Sequence, residues 1–118
     1  MNLFDCTDIA YQKVTEWTKR KPEFEKRAGF ALMAALANHD GKNDHDKELK
    51  KFLPIIKREA CDERNYVRKA VNWALRGIGK RNPVLKKEAI KTAEEILKID
   101  NKTAQWIAKD ALRELRNK

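Results

Sequence analysis

Apolar residues at Val67, Ala70, Val71, Ala74, Leu75 and Ile78 recur at spacings of three and four, as in a helix that buries one face. A strand would alternate its apolar positions in twos, so this segment has little choice of local structure. The same test along the chain yields six helical segments and no convincing strand. The first is expected from about Asp8 to Lys19 behind a Thr7/Asp8 cap, and the second from Pro22, a favoured first helical position, to about Asn38. His39-Asp40-Gly41-Lys42-Asn43-Asp44 has turn chemistry throughout. The third helix covers His45 to Ala60, with Leu49, Phe52, Leu53, Ile56 and Ala60 inward and Pro54 expected to kink or break it. Asp62 is expected to cap the fourth, from Glu63 to Lys80. Pro83 opens the fifth, with Leu85, Ala89, Ile90, Ala93, Ile96 and Leu97 inward. An Asp100/Asn101 turn leads to the sixth, Lys102 to Arg116, which buries Ala104, Ile107, Ala108, Ala111, Leu112 and Leu115.

The helices recur as well as repeat their period. Lys26-Arg27-Ala28 returns as Arg68-Lys69-Ala70, and Trp73-Ala74-Leu75-Arg76 returns as Asp110-Ala111-Leu112-Arg113. A spacing of roughly forty residues is that of HEAT and armadillo helical hairpins. The expected fold is therefore all-α: a short right-handed α-solenoid of about three HEAT-like hairpins, six helices in all, forming a single domain over residues 1–118. An ordinary six-helix bundle is the alternative. A hydrophobic content of 42% with only 4 Gly and 3 Pro allows one buried core in a chain of 118 residues and disfavours a disordered tail.

The apolar run from Phe30 to Ala37 is too short to cross a bilayer, and the N-terminus has neither basic flank nor signal core. No membrane partner is expected. Cys6 and Cys61 lie far apart and suggest buried thiols in a reducing cytoplasm, not a disulfide framework.

Net charge is +9 and uneven, because 15 basic and 8 acidic residues fall from Ala60 onward. Between Arg64 and Arg81 stand six basic residues and no acid, a field that attracts polyanions. On the fourth helix Tyr66, Lys69, Trp73, Arg76, Gly77 and Lys80 form a stripe away from the buried one. An aromatic ring interleaved with cations suits nucleic acid, since cations pair with phosphates while the ring faces a base or sugar. The competing reading packs Trp73 against the neighbouring hairpin beneath snorkelling Lys and Arg stems.

The string from Asp62 to Pro83, with Tyr66-Val67-Arg68-Lys69-Ala70 and Trp73-Ala74-Leu75-Arg76 at its centre, resembles the signature helix of the DNA alkylation repair family, the AlkD-like HEAT-repeat DNA glycosylases. Lys26-Arg27-Ala28-Gly29-Phe30 resembles the family's preceding repeat, and Thr103 to Leu115 its final helix in one bacterial and archaeal branch. The resemblance implies excision of cationic N3- or N7-alkylated purines from duplex DNA held in a concave cleft. It implies that Trp73 is the cleft tryptophan beside the lesion and that Arg27 contacts the DNA backbone. The DNA-binding set expected from both arguments is Arg27, Tyr66, Lys69, Trp73, Arg76 and Lys80. The family's catalytic aspartate stands in a Trp-Asp motif upstream of the segment resembling Asn2-Leu3-Phe4-Asp5, so this chain is expected to correspond to the C-terminal half and to bind DNA without catalysis. Asp5 and Asp8 have ready roles as turn or cap residues.

Duplex DNA, damaged or undamaged, is the expected partner. A homodimer through the Asp8 to Lys19 helix is also expected, with Ile9, Val14 and Trp17 on an open flank. No cofactor or metal is expected; His39 and His45 beside Asp40 and Asp44 form a weak cluster, and Gly77-Ile78-Gly79 reads as a helix C-cap. An intact glycosylase using a local acid and a HEAT-type protein-interaction adaptor remain as alternatives.

Overall fold

The computed structural model describes residues 12–39 and 46–116, and the apolar stripes read from the sequence decide how its helices stack. After the helical residues 12–17 (α1) come α2 (Glu23–His39), α3 (Asp46–Glu59), α4 (Asn65–Arg81), α5 (Pro83–Leu97) and α6 (Lys102–Arg116), with no strand among the described residues. The α6 stripe is buried at all six expected positions, and so is that of α4. On α5, Leu85, Ala89, Ala93 and Ile96 are buried, whereas Ile90 and Leu97 are partly so and Thr92 joins the core by turning its hydroxyl to the Glu88 carbonyl.

Helix α4 packs against α2 on one side and α6 on the other; α3 and α5 lie against each other and against α4, and α5 packs on α6. Consecutive hairpins thus stack side by side, α2, α4 and α6 in one layer and α3 and α5 in the second. The extents, 46 × 34 × 17 Å, suit two helix layers with axes about 8–10 Å apart. The protein is an all-α, solenoid-like stack of helical hairpins. Among the described residues no helix is long and apolar enough to cross a membrane.

Several local expectations are corrected. Helix α3 runs through Pro54 without a break; Pro54 sits in its exposed part, so the lost hydrogen bond lies toward water. Pro22 precedes α2, and its carbonyl accepts the bond from the Lys26 N–H at 3.0 Å. Asp62 is not the cap of α4. Arg64 is, without a side-chain cap bond, and Asp62 instead accepts the Arg64 N–H two residues on. Asn82 does cap α5, accepting from the Leu85 N–H at 2.9 Å, and Asn101 accepts from the Ala104 N–H at 3.0 Å at the start of α6.

Gly77 and Gly79 are buried inside α4, not at a C-cap, so Gly77 leaves the exposed stripe. A Cβ on Gly79 would stand 2.6 Å from a Leu115 methyl, so its bare Cα allows α6 to close on α4. Gly29 serves the α1 end in the same way, where an added Cβ would lie 2.8 Å from the Thr18 nitrogen. Val14, expected on an open flank, is fully buried; Trp17 is half-buried, and Ile9 lies outside the described residues. Cys61 is exposed, contrary to the expected buried thiol, because it falls in the turn after α3. Asp5, Cys6, Asp8, Asp40, Asp44 and His45 lie outside the described residues.

Candidate nucleic-acid interface

Four of the six expected contact residues meet at one place. Arg27 and Ala31 from α2, with Tyr66, Lys69, Ala70 and Trp73 from α4, line a hollow of about 270 Å³. The recurrence builds it: the offset that places Arg27 on Lys69 also places Phe24 on Tyr66, Ala28 on Ala70 and Ala31 on Trp73. Side-by-side helices in one register therefore bring like side chains to one face. Ala31 and Ala70 keep the floor low. The Arg27 guanidinium lies over the Tyr66 ring, 5.8 Å from its centroid, while Phe24 meets that ring at 5.9 Å. Neither Arg27 nor Lys69 has an ion pair among the described residues. Trp73 remains 45% exposed, which removes it from the core.

A buried ion cluster behind the hollow holds α2 and α4 in register. The Lys26 ammonium, nearly out of solvent, donates to Glu59 at 2.7 Å and Asp62 at 3.2 Å. Arg64 binds both Asp62 oxygens, at 3.0 and 2.7 Å, and reaches the Lys21 carbonyl at 2.6 Å. Hydrogen bonding to Arg64 holds the Asp62 carboxyl down to about 2. Burial would raise Glu59, but hydrogen bonds from Lys26 and Arg58 outweigh it and leave the carboxyl below its ordinary value. Glu23 supplies the cap α4 lacks, accepting from the Tyr66 N–H at 3.3 Å. Lys26 and Arg27 are neighbours in sequence with opposite duties: one is buried as a fastener and the other faces out.

Arg76 and Lys80 go elsewhere. Both donate to Glu114 of α6, Arg76 at 2.6 Å, and the Arg76 Nε stands 3.9 Å from Asp110 without a hydrogen bond of its own. These bonds, that from Arg76 first, hold the Glu114 carboxyl down to about 2. The two cations expected to extend the DNA-binding stripe are therefore neutralised across the α4–α6 seam. Asn72 fastens the same seam, donating to the Ile107 carbonyl at 3.2 Å from a buried position.

With this geometry, a family model for the DNA alkylation repair enzyme matches residues 4–115. The chain belongs to the DNA alkylation repair enzyme family. No curated protein and no solved structure matches it. The family match spans every residue of the hollow and both seams of α4.

Two exposed aromatics of this DNA alkylation repair family chain escaped the sequence reading. Phe24, 68% exposed, stands where the recurrence repeats Tyr66, a correspondence that could have found it. Trp106 on α6 is 41% exposed, with the Arg68 guanidinium 4.6 Å from its ring centroid. Arg68 is the counterpart of Lys26, yet it spans to α6 over an indole instead of entering a carboxylate cluster. Phe24, Tyr66, Trp73 and Trp106 thus all come from the α2, α4 and α6 layer. Among the described residues no group of three or more His, Cys, Asp or Glu could hold a metal ion. Among the described residues no carboxylate lines the hollow.

Proposed function

We propose that this member of the DNA alkylation repair family is an AlkD-like HEAT-repeat domain that binds duplex DNA across its α2–α4–α6 layer and does not cleave the glycosidic bond by itself. One observation carries the reading: Arg27 and Lys69, which have no ion pair among the described residues, flank an exposed tryptophan over an alanine floor. Cations so placed pair with phosphates without reading sequence. The indole face of Trp73 attracts the positive ring of an N3- or N7-alkylpurine. The hollow lies at the surface, where Trp73 is 45% exposed, so the edge of a nucleotide can reach it. Hydrolysis of the bond needs a carboxylate beside the anomeric carbon to steady positive charge and position water, and among the described residues none lines the hollow. Asp110 and Glu114 on the neighbouring helix are engaged with Arg76.

Titration of a labelled duplex at low and moderate salt tests binding. Affinity should fall steeply with salt and depend little on sequence. Equal affinity at both salts, or none at low salt, overturns the reading. Incubation with N7-methylated duplex should release no base, and release above the uncatalysed rate overturns the non-catalytic part.

A further inference from the structure

Helix α2 has a hollow on each side. The second, of about 350 Å³, lies toward α1 and is lined by Trp17, Arg20, Phe24, Glu25 and Ala28. Its α2 residues repeat the first hollow in register: Phe24 and Ala28 stand where Tyr66 and Ala70 stand, an aromatic wall over an alanine floor. Phe24 is the ridge between the two. Its ring centroid lies 5.9 Å from that of Tyr66, and the residue is 68% exposed.

Glu23 and Glu25 flank Phe24 in the sequence, and against them stand three consecutive cations beside the ridge. Lys19, Arg20 and Lys21 are all exposed at the α1–α2 turn. Lys19 and Lys21 have no ion pair among the described residues, and Arg20 has only a loose contact with Glu25 at 3.8 Å. An exposed aromatic surface edged by three consecutive cations and continuous with the Arg27–Lys69 hollow fits a polyanion with stacking groups.

We propose that the Trp17–Arg20–Phe24 hollow is a second nucleotide subsite, in which Phe24 packs on the sugar or base edge of a flanking nucleotide and Arg20, with Lys19 and Lys21, binds its phosphates. The proposal rests on the DNA-binding reading above and extends it to a second point on the same strand. The two hollows are separated by the width of α2, about 10 Å with its side chains. At about 3.4 Å of rise per nucleotide, that separation corresponds to about three nucleotides.

Hydroxyl-radical footprinting of the full chain on an end-labelled duplex at low salt tests it. Wild-type protein should protect a continuous run. Arg20→Ala combined with Phe24→Ala should shorten that run at one end by about three nucleotides and weaken binding roughly three- to tenfold. Lys19→Ala with Lys21→Ala, which removes no packed side chain, should lower the slope of log affinity against log salt by about 2. Lys69→Ala should weaken binding while both ends of the footprint stay in place. A wild-type footprint left unchanged by the Arg20/Phe24 variant, or an unchanged salt slope in the Lys19/Lys21 variant, overturns this subsite alone. Absence of any wild-type footprint overturns the DNA-binding reading and the subsite with it.

Discussion

Helix α4 has two seams, and they treat the same kind of residue in opposite ways. Toward α2, the exposed cations Arg27 and Lys69 have no ion pair among the described residues: Glu59 and Asp62 are taken by Lys26 and Arg64, and Glu23 accepts from the Tyr66 N–H. Toward α6, Glu114 takes both Arg76 and Lys80, and Asp110 stands beside them. A cation count along α4 treats the seams alike. The difference arises because one seam buries its acids with dedicated basic partners, whereas the other leaves them facing the stripe. Under the DNA-binding reading proposed above, a surface cation is most available to phosphates where the neighbouring helix brings no acid to meet it.

The largest effect should come from the fastener of the open seam. Lys26→Met removes the Lys26 bonds to Glu59 and Asp62, leaving Glu59 with Arg58 and Asp62 with Arg64 at a part-buried site, and should cost about 2 to 3 kcal/mol, measured by urea unfolding. A cost below about 1 kcal/mol, the range of an exposed ion pair, would mean that the cluster does not hold the register.

The next test compares the seams directly. Arg27→Ala with Lys69→Ala should weaken duplex binding tenfold or more (roughly) at low salt and reduce the salt slope by about 2. Arg76→Ala with Lys80→Ala should weaken it less than about threefold, since those charges are already spent on Glu114. Glu114→Gln should free both and raise affinity. Equal losses from the two double variants would erase the distinction between the seams.

The acid limb of stability follows from Glu114, whose carboxyl is held from an ordinary 4.5 down to about 2. A depressed folded-state value stabilises the fold above pH 4.5, and that contribution drains away as pH falls toward 2. It should amount to about 1 to 2 kcal/mol after solvent screening. Chemical denaturation between those pH values should show a shallower decline in Glu114→Gln than in wild type; parallel declines would deny the pairing.

The smallest effect concerns Trp73. Trp73→Ala should lower stability by less than about 1.5 kcal/mol, against about 3 to 5 for a core tryptophan. It should reduce the preference for duplex carrying a cationic or abasic site by about 1 kcal/mol. Melting curves beside affinities for damaged and intact duplex separate the two effects. A large stability loss with unchanged preference removes Trp73 from the interface.

Much of the fold was legible because α-helical period is local. The six inward positions of α6 needed only spacing, and the Lys26-Arg27-Ala28 recurrence located Arg27 and Lys69 on matching faces before any packing was known. The same recurrence held Phe24 opposite Tyr66, but a lone Phe near a helix start reads as core until its neighbours are seen. Asp62 misled for a related reason. An Asp just before a helix looks like a cap, and only the approach of Lys26 and Arg64 turned it into the centre of an ion cluster.

The sequence alone determined which residues form helices, which stripe of each is apolar, that α2 and α4 carry like residues in one register, and that positive charge gathers in the second half. These follow from periods of three and four residues and from composition, which depend on nearest neighbours along the chain. Tertiary structure decided which cations remain open: Arg76 and Lys80 meet Glu114 across more than thirty residues of chain because Gly79, lacking a Cβ, lets Leu115 and α6 settle against α4. Charge pairing between helices depends on contact at a few ångströms, and only the stacking of the layer sets that distance.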